Sequence, residues 1–385
     1  MRVRKFLFSF STQTSFYLTV RPRCAHLRRQ GFSCNTPIFS TRRTLSSLAR
    51  TFGSGPEAKK MPGKFIIDCD AGVDDAMALL MAIDAHKRQE IEILAITAVN
   101  GNTQVDKVLI NIFRTLDAGG CPDIPVHRGS ESALIMTPKD AEGYHGSDGF
   151  NDVQFGTTPD VTRVQEEGAV LAICRHVREN PGEVTLVALG PLTNVALAFK
   201  LCPDITSQIK EMFIMGGNCE GVGNVSMSAE FNFYVDPEAA FVVLNKNNCP
   251  TYIATWELCY KYCKVDMDWR LNCLGKIDTP QAKMMNALEK VWYDNYSFHP
   301  DHFIMCDQLA MAAALDVRVM TKTKRHWATI ELSGLHTKGL MVMEQRHAIC
   351  NGPKFNSNVT IIERVDEMAL KNLLLRAFSQ TNETD

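Results

Sequence analysis

Four carboxylates, Asp68, Asp70, Asp74 and Asp75, fall within eight residues of the run Phe65-Ile-Ile-Asp-Cys-Asp-Ala-Gly-Val-Asp-Asp-Ala-Met-Ala-Leu-Leu80. The apolar residues before them read as a buried strand and those after as an apolar helix, so the acids crowd the carboxyl end of a strand. Like charges this close repel, and a hard cation relieves the repulsion, because carboxylate oxygens are what calcium and magnesium prefer as ligands. Capping of the helix by Asp74 or Asp75 accounts for one or two of the four. It leaves Asp70 without a role, and Gly72 marks a tight turn where a ligand approaches. A second chemistry begins the same way: Asp68-Cys-Asp70 after an apolar strand suits a phosphatase whose first Asp attacks phosphorus. Such enzymes want a hydroxyl residue soon after the pair and a downstream Lys, and here Gly72 and Val73 follow.

Positioning this loop requires a scaffold, and the pattern from Lys64 onward supplies one. Short β-branched runs alternate with helical stretches: strand 64–68 and helix 76–86, strand 92–99 and helix 105–118, strand 184–189 and helix 192–199, strand 212–215 and helix 237–245. Such alternation specifies an α/β fold with a mostly parallel central sheet flanked by helices, open and Rossmann-like, with ligands at the carboxyl ends of the strands. Further on, 251–255, 327–332 and 359–364 read as strands. Residues 279–296 and 306–315 read as helices, and 367–379 as an amphipathic closing helix.

Composition narrows the function. The chain is 45% hydrophobic and 22% charged with a net charge of -2, and no Lys/Arg block lies after residue 60, so nucleic acid is not expected as a partner. Apolar runs fall far short of the ~20 residues that span a bilayer, so no membrane partner is expected. Thirteen cysteines, many in apolar stretches, read as reduced thiols of an intracellular protein. Cys259, Cys263 and Cys273 lack the second ligand pair of a zinc site. From Met1 to Pro56 there are ten Lys/Arg and no Asp or Glu, the composition of a mitochondrial transit segment. Met61 is equally a second start. Residues 1–60 are therefore expected to be an extension outside the fold and 61–385 the functional domain, cytosolic unless the extension is a genuine transit peptide.

With four more segments in order, the acidic loop resembles the opening motif of the inosine-uridine nucleoside hydrolase family, close to D-x-D-P-G-x-D-D-A. The others are Val99-Asn-Gly-Asn102, His145-Gly-Ser-Asp-Gly149 and Leu189-Gly-Pro-Leu-Thr-Asn194. The last runs from Met215-Gly-Gly217 through Gly223-Asn224 and Ala229-Glu-Phe-Asn232 to Asp236-Pro-Glu-Ala-Ala240. The resemblance covers essentially 61–380. It implies hydrolysis of the bond between a nucleobase and ribose, a nucleoside substrate and a homo-oligomer. It makes Asp70, Asp75, the backbone carbonyl of Thr193 and Asp307 the ligands of a Ca2+ ion, whose ~6 to 8 oxygen ligands leave room for water and two ribose hydroxyls. In the implied mechanism calcium acidifies a water, Asp70 takes its proton, and attack at C1′ inverts the sugar. Asp74 and Asn102 would meet the 2′- and 3′-hydroxyls and Asn224 and Glu230 the 5′-hydroxyl, with Asn232 and Met215 also lining the substrate site.

Two departures from the family pattern bear on the chemistry. Ala71 stands where the loop usually has Pro, which is expected only to loosen it, and Cys306 precedes Asp307 where many members have His. A thiol of ordinary pKa ~8.5 can donate a proton to a leaving base, yet Cys at the start of an apolar helix is equally a packed side chain. Cys306, His145 and His299 are the candidate acids. Trp256, Trp292, Tyr293 and Tyr296 are candidates to stack on the base. A nucleoside-binding protein that turns over slowly remains the non-enzymatic alternative, against which stands the electrostatic cost of four clustered acids.

Overall fold

The computed structural model describes residues 61–135, 143–295, 302–350, 352 and 355–379. The basic extension up to residue 60, Tyr296 and His299 lie outside the described residues.

The first strand, β1 (Gly63–Cys69), has alternating side chains that enter two cores: Phe65, Ile67 and Cys69 face one and Ile66 the other. Ile66 and Ile67 are both fully buried, each contributing roughly 1.5–3 kcal/mol by leaving water. A strand buried on both faces belongs to the middle of a parallel sheet. The chain continues through α1 (Val73–Lys87), β2 (Ile91–Ala98), α2 (Val105–Gly119), and the short β3 (Val126–Arg128) and β4 (Val164–Gln165). Next come α3 (Ala169–Glu179), β5 (Val184–Ala188), α4 (Thr193–Leu201), β6 (Glu211–Met215), α5 (Phe231–Val235), α6 (Pro237–Lys246) and β7 (Thr251–Ala254). A π-helical turn at Leu258–Tyr262 precedes β8 (Val265–Asp266), α7 (Met267–Asn272), α8 (Pro280–Asn295), β9 (His302–Phe303) and α9 (Asp307–Leu315). The chain then forms β10 (Met320–His326), β11 (Ala328–Ile330), β12 (Met341–Met343), α10 (Arg346–Cys350), β13 (Val359–Val365) and α11 (Glu367–Ser379).

Among the described residues nine strands form one sheet in the order β10-β13-β7-β6-β5-β1-β2-β3-β4, parallel throughout except for the β10–β13 pair. From β1 the chain first steps outward to β2, β3 and β4, then returns to the other side of β1 with β5. The order therefore reverses beside β1, where a crevice opens at the carboxyl ends of β1, β2 and β5. On one face α1 packs against α2, α8, α9 and α11, and on the other α3, α4 and α6 pack together. Helix α1 is buried nearly all round because those neighbours cover it.

One expectation is corrected and one strand was not foreseen. The expected strand at 327–332 shrinks to β11, which pairs with β12 in a separate ribbon and not with the main sheet. The outermost strand is instead β10, whose Met-Thr-Lys-Thr-Lys-Arg-His run has no apolar alternation because it is an exposed edge. Charged side chains such as Lys322 and Lys324 blunt such an edge against further pairing.

Candidate active site

All the parallel strands end on one side of the sheet, so their following loops meet there. The register sets Asp68 of β1 beside Thr97 of β2 and Ala188 of β5. Asp68 is fully buried, and its Oδ1 accepts from Thr97 Oγ1 at 2.5 Å and from Asn194 Nδ2 at 2.8 Å. Burial pushes its carboxyl up to about 7. A carboxylate so enclosed, turned between strands and against α4, has no approach to a substrate phosphate, which removes the nucleophile that the phosphatase reading needs.

Beyond Asp68 the chain turns at Ala71, a buried residue at φ 39°, a left-handed conformation that strains a non-glycine residue. Its carbonyl accepts from Asn111 Nδ2 at 3.1 Å. The expected loosening is thus corrected: the turn is pinned, and at an angle that a proline ring cannot adopt. Gly72 then opens α1, and its N–H donates to Asp75 Oδ2 at 2.8 Å.

The loop after β2 closes over these acids. Asn102 donates its backbone N–H to Asp70 Oδ2 at 2.7 Å and its side-chain Nδ2 to Asp75 Oδ2 at 3.1 Å. Gly101 is the residue this approach demands, since a Cβ there would stand 2.1 Å from Asp70 Oδ2. From the far end of the chain, α9 packs on α1 and brings Asp307 in at its first turn. Carboxylate oxygens of Asp74, Asp75 and Asp307 lie within 4.8 Å of one another, and Asp75 is near enough to Asp70 for their charges to repel. Burial first, and then mutual repulsion, pushes the carboxyls of Asp70 and Asp307 well above the usual range and that of Asp75 to about 7. Asp74 Oδ1 and Asp75 Oδ1 are buried with no hydrogen-bond partner. An acid-lined pocket with orphaned oxygens is a fit for a divalent cation.

At the start of α4, Thr193 donates its hydroxyl to Asp236 Oδ2 at 2.6 Å, and Asn194 is held by Asp68 and by the carbonyl of Ala98. The Thr193 turn is therefore clamped on two sides. Glu230 is fully buried and caps α5, accepting from the N–H groups of Gly217, Asn232 and Phe233. Its carboxyl too is pushed to about 7 by burial. Asn232 Nδ2 donates to the carbonyls of Leu189 and Met215, tying together the ends of β5 and β6. Asn224 is exposed on the loop before Glu230, its backbone N–H bonded to Ala229.

His145 reaches the acidic loop from a third direction. Its Nδ1 accepts the backbone N–H of Val73 at 3.3 Å, which leaves the ring proton on Nε2, 3.9 Å from Asp74 Oδ1. Burial lowers its pKa, so the ring is neutral. Trp292 of α8 packs edge-on against it and donates Nε1–H to the carbonyl of Tyr144. Cys306 is half-buried beside the buried Cys259, and that neighbour together with burial holds its thiol well above the ordinary value. Trp256 packs at a tilt against Tyr260 beside the end of β7, while Tyr293 is spent on Glu289, which pairs with buried Arg270.

Asn111 and Glu257 carried no sequence signal, since each is a polar residue outside every motif of the sequence. Glu257 is fully buried and receives the N–H groups of Cys219 and Glu220, holding the turn after β6.

The profile of the inosine-uridine preferring nucleoside hydrolases matches residues 65–372. The inosine-uridine preferring nucleoside hydrolase of Leishmania major is 35% identical over 289 residues, 74% of this chain and 89% of its own length. Uridine nucleosidase 1 of Arabidopsis thaliana is 42% identical over 235 residues, 60% of this chain and 67% of its own. A solved inosine-guanosine nucleoside hydrolase superposes with a TM-score of 0.74 at 30% identity, over 82% of this chain and 98% of that one.

Proposed function

The chain belongs to the inosine-uridine preferring nucleoside hydrolase family and is a ribonucleoside hydrolase, and from that premise we propose that its acidic pocket holds Ca2+ and that Asp70 is the general base. The observation that carries the proposal is the convergence of Asp74, Asp75 and Asp307, with buried unpartnered oxygens on Asp74 and Asp75. Asp70, Asp75, the Thr193 carbonyl and Asp307 would hold the ion. An all-oxygen set this rich in protein ligands suits calcium better than magnesium, which keeps several waters. When bound, the cation supplies positive charge and Lewis acidity at the point where water must become a nucleophile.

The chain's own residues do the rest. Asp70, oriented by the Asn102 N–H, takes the proton of the attacking water as the bond from C1′ to the base breaks, with inversion at the sugar. Asp74 and Asn102 take the 2′- and 3′-hydroxyls, while Asn224, Glu230 and Asn232 take the 5′ side beside Met215. Trp256 and His145 flank the base, His145 offering its Nε2 proton. A site that pairs each ribose hydroxyl discriminates against 2′-deoxy substrates, whose loss leaves buried polar groups unpaired.

A homo-oligomer in the cytosol completes the proposal. The exposed Leu171, Leu197 and Leu201 along α3 and α4 support the first, and the free thiols of the described cysteines support a reducing compartment. No helix among the described residues is long and apolar enough to cross a membrane. Residues 61–385 are proposed as the catalytic domain.

The test is release of base from inosine, uridine and ribosylated nicotinamide, with chelator and after calcium is restored. Loss with chelator and recovery with calcium are expected. Turnover indifferent to chelator would overturn the cation's role. Tight nucleoside binding without release of base would favour the binding-protein reading.

A further inference from the structure

Asn111 lies on α2, is 1% exposed, and is not part of the acidic cluster. Its side chain is nonetheless fully committed to the loops that form the site. Arg114 donates to its Oδ1, which fixes the amide's orientation, and its Nδ2 then donates to two carbonyls. One is that of Ala71, 3.1 Å away in the strained turn between Asp70 and Gly72. The other is that of Asp148, 2.8 Å away in the loop that carries His145.

That second loop is costly to hold in shape. Gly143, Gly146, Gly149, Asn151 and Asp152 all have φ between 56° and 86°. Its outer contacts include Thr103 and Lys107 to the carbonyl of Ser147, Asn151 Nδ2 to the carbonyl of Leu288 in α8, Trp292 Nε1 to the carbonyl of Tyr144, and an Arg114–Asp148 ion pair at 3.9 Å. Gly149 passes so close to Asn111 that a Cβ would stand 2.9 Å from Nδ2. The two loops touch directly through the Val73 N–H and His145 Nδ1, a long bond at 3.3 Å. Asn111 braces that contact from behind by gripping one residue on each side of it.

We infer that Asn111 is a positioning residue for the hydrolase reaction: it staples the His145 loop to the acidic loop, so that the base-side wall and the water-activating wall of the site hold one geometry. It touches neither substrate nor cation. Misplacement by about 1 Å of a group held this way lowers turnover by as much as about 100-fold. The effect falls on substrates whose leaving group needs help from the His145 side. The inference rests on the nucleoside hydrolase reading for its kinetic arm, while its structural arm is independent of it.

The experiment compares wild type, Asn111→Ala and Asn111→Asp in the full chain, with Thr115→Val as control. Thr115 lies one turn along α2 and donates only to the backbone carbonyl of Asn111. The Asp variant keeps the size and can pair with Arg114, yet its carboxylate cannot donate to either carbonyl. In both Asn111 variants amide exchange across 145–152 is expected to accelerate by about tenfold or more, with the rest of α2 unchanged. Turnover of inosine should fall by about 10–100-fold, and that of a nitrophenyl riboside, whose leaving group needs no proton, by much less. Wild-type exchange in Asn111→Asp would overturn the inference. So would equal losses on both substrates with exchange accelerated evenly through α2, which is what simple packing predicts. If wild type cleaves neither inosine nor the nitrophenyl riboside, the hydrolase reading fails, and exchange in 145–152 still decides whether Asn111 staples the loops.

Discussion

Asn102 and Asp75 meet side chain to side chain, Nδ2 to Oδ2 at 3.1 Å, while the backbone N–H of the same asparagine donates to Asp70 at 2.7 Å. One residue of the turn between β2 and α2 thus orients two carboxylates of the turn between β1 and α1 and leaves Asp75 Oδ1 without a hydrogen-bond partner. The acids are arranged by neutral donors and not by cations of the protein, which keeps their negative charge available for an ion.

Asp70→Asn preserves shape and removes the charge and the proposed base together. Base release should fall by several orders of magnitude with the melting temperature little changed, as read from initial rates and a thermal scan. Near-normal turnover with calcium still bound would sink Asp70 as the base.

Asp307 enters from α9, more than two hundred residues along the chain from the loop it completes. Asp307→Ala should weaken calcium binding by at least about tenfold, an amount that titration calorimetry resolves. Unchanged affinity would reduce Asp307 to an anion at a helix N-terminus.

A thiol held well above its ordinary value by the neighbouring Cys259 and by burial is a weak proton donor, which favours packing over acid catalysis for Cys306. Cys306→Ala is therefore expected to slow inosine and a nitrophenyl riboside alike and to cost about 1–2 kcal/mol of stability. A selective loss on inosine, with the nitrophenyl substrate spared, would reinstate the thiol as the leaving-group acid.

Burial pushes Asp68, Asp75 and Glu230 up to about 7. Their folded values lie above the unfolded values of about 4, so the native state binds protons that the unfolded chain has released. The stability they contribute is complete below about pH 4 and is lost as pH rises through about 7. Cation-stripped protein should melt higher at about pH 5.5 than at about pH 8, and saturating calcium should restore most of the difference at the higher pH. A melting temperature that rises with pH in the stripped protein would contradict this assignment.

Local chemistry made much of the molecule legible from its residues. The turn from β1 into α1, the alternation through β7 and the acids 68–75 are contiguous, and their periodicity or charge shows without any tertiary contact. The closing helix 367–379 agrees residue for residue with α11 for the same reason. Motif order also brought in Asn102, Thr193, Glu230 and Asp307, though not the geometry that joins them. Only the tertiary structure decided that Asp74 stands with Asp75 and Asp307, because that depends on α9 packing across α1. It alone turned Asp68 into the sheet, set Cys306 beside Cys259 and engaged Tyr293 with Glu289. It also made an edge strand of β10, which pattern reading misses because an edge needs charge where a core strand needs alternation. Asn111 is the clearest case: a polar residue on the buried face of an amphipathic helix acquires its meaning only from the two carbonyls that distant loops place before its amide, since hydrogen bonds follow spatial and not sequential neighbours.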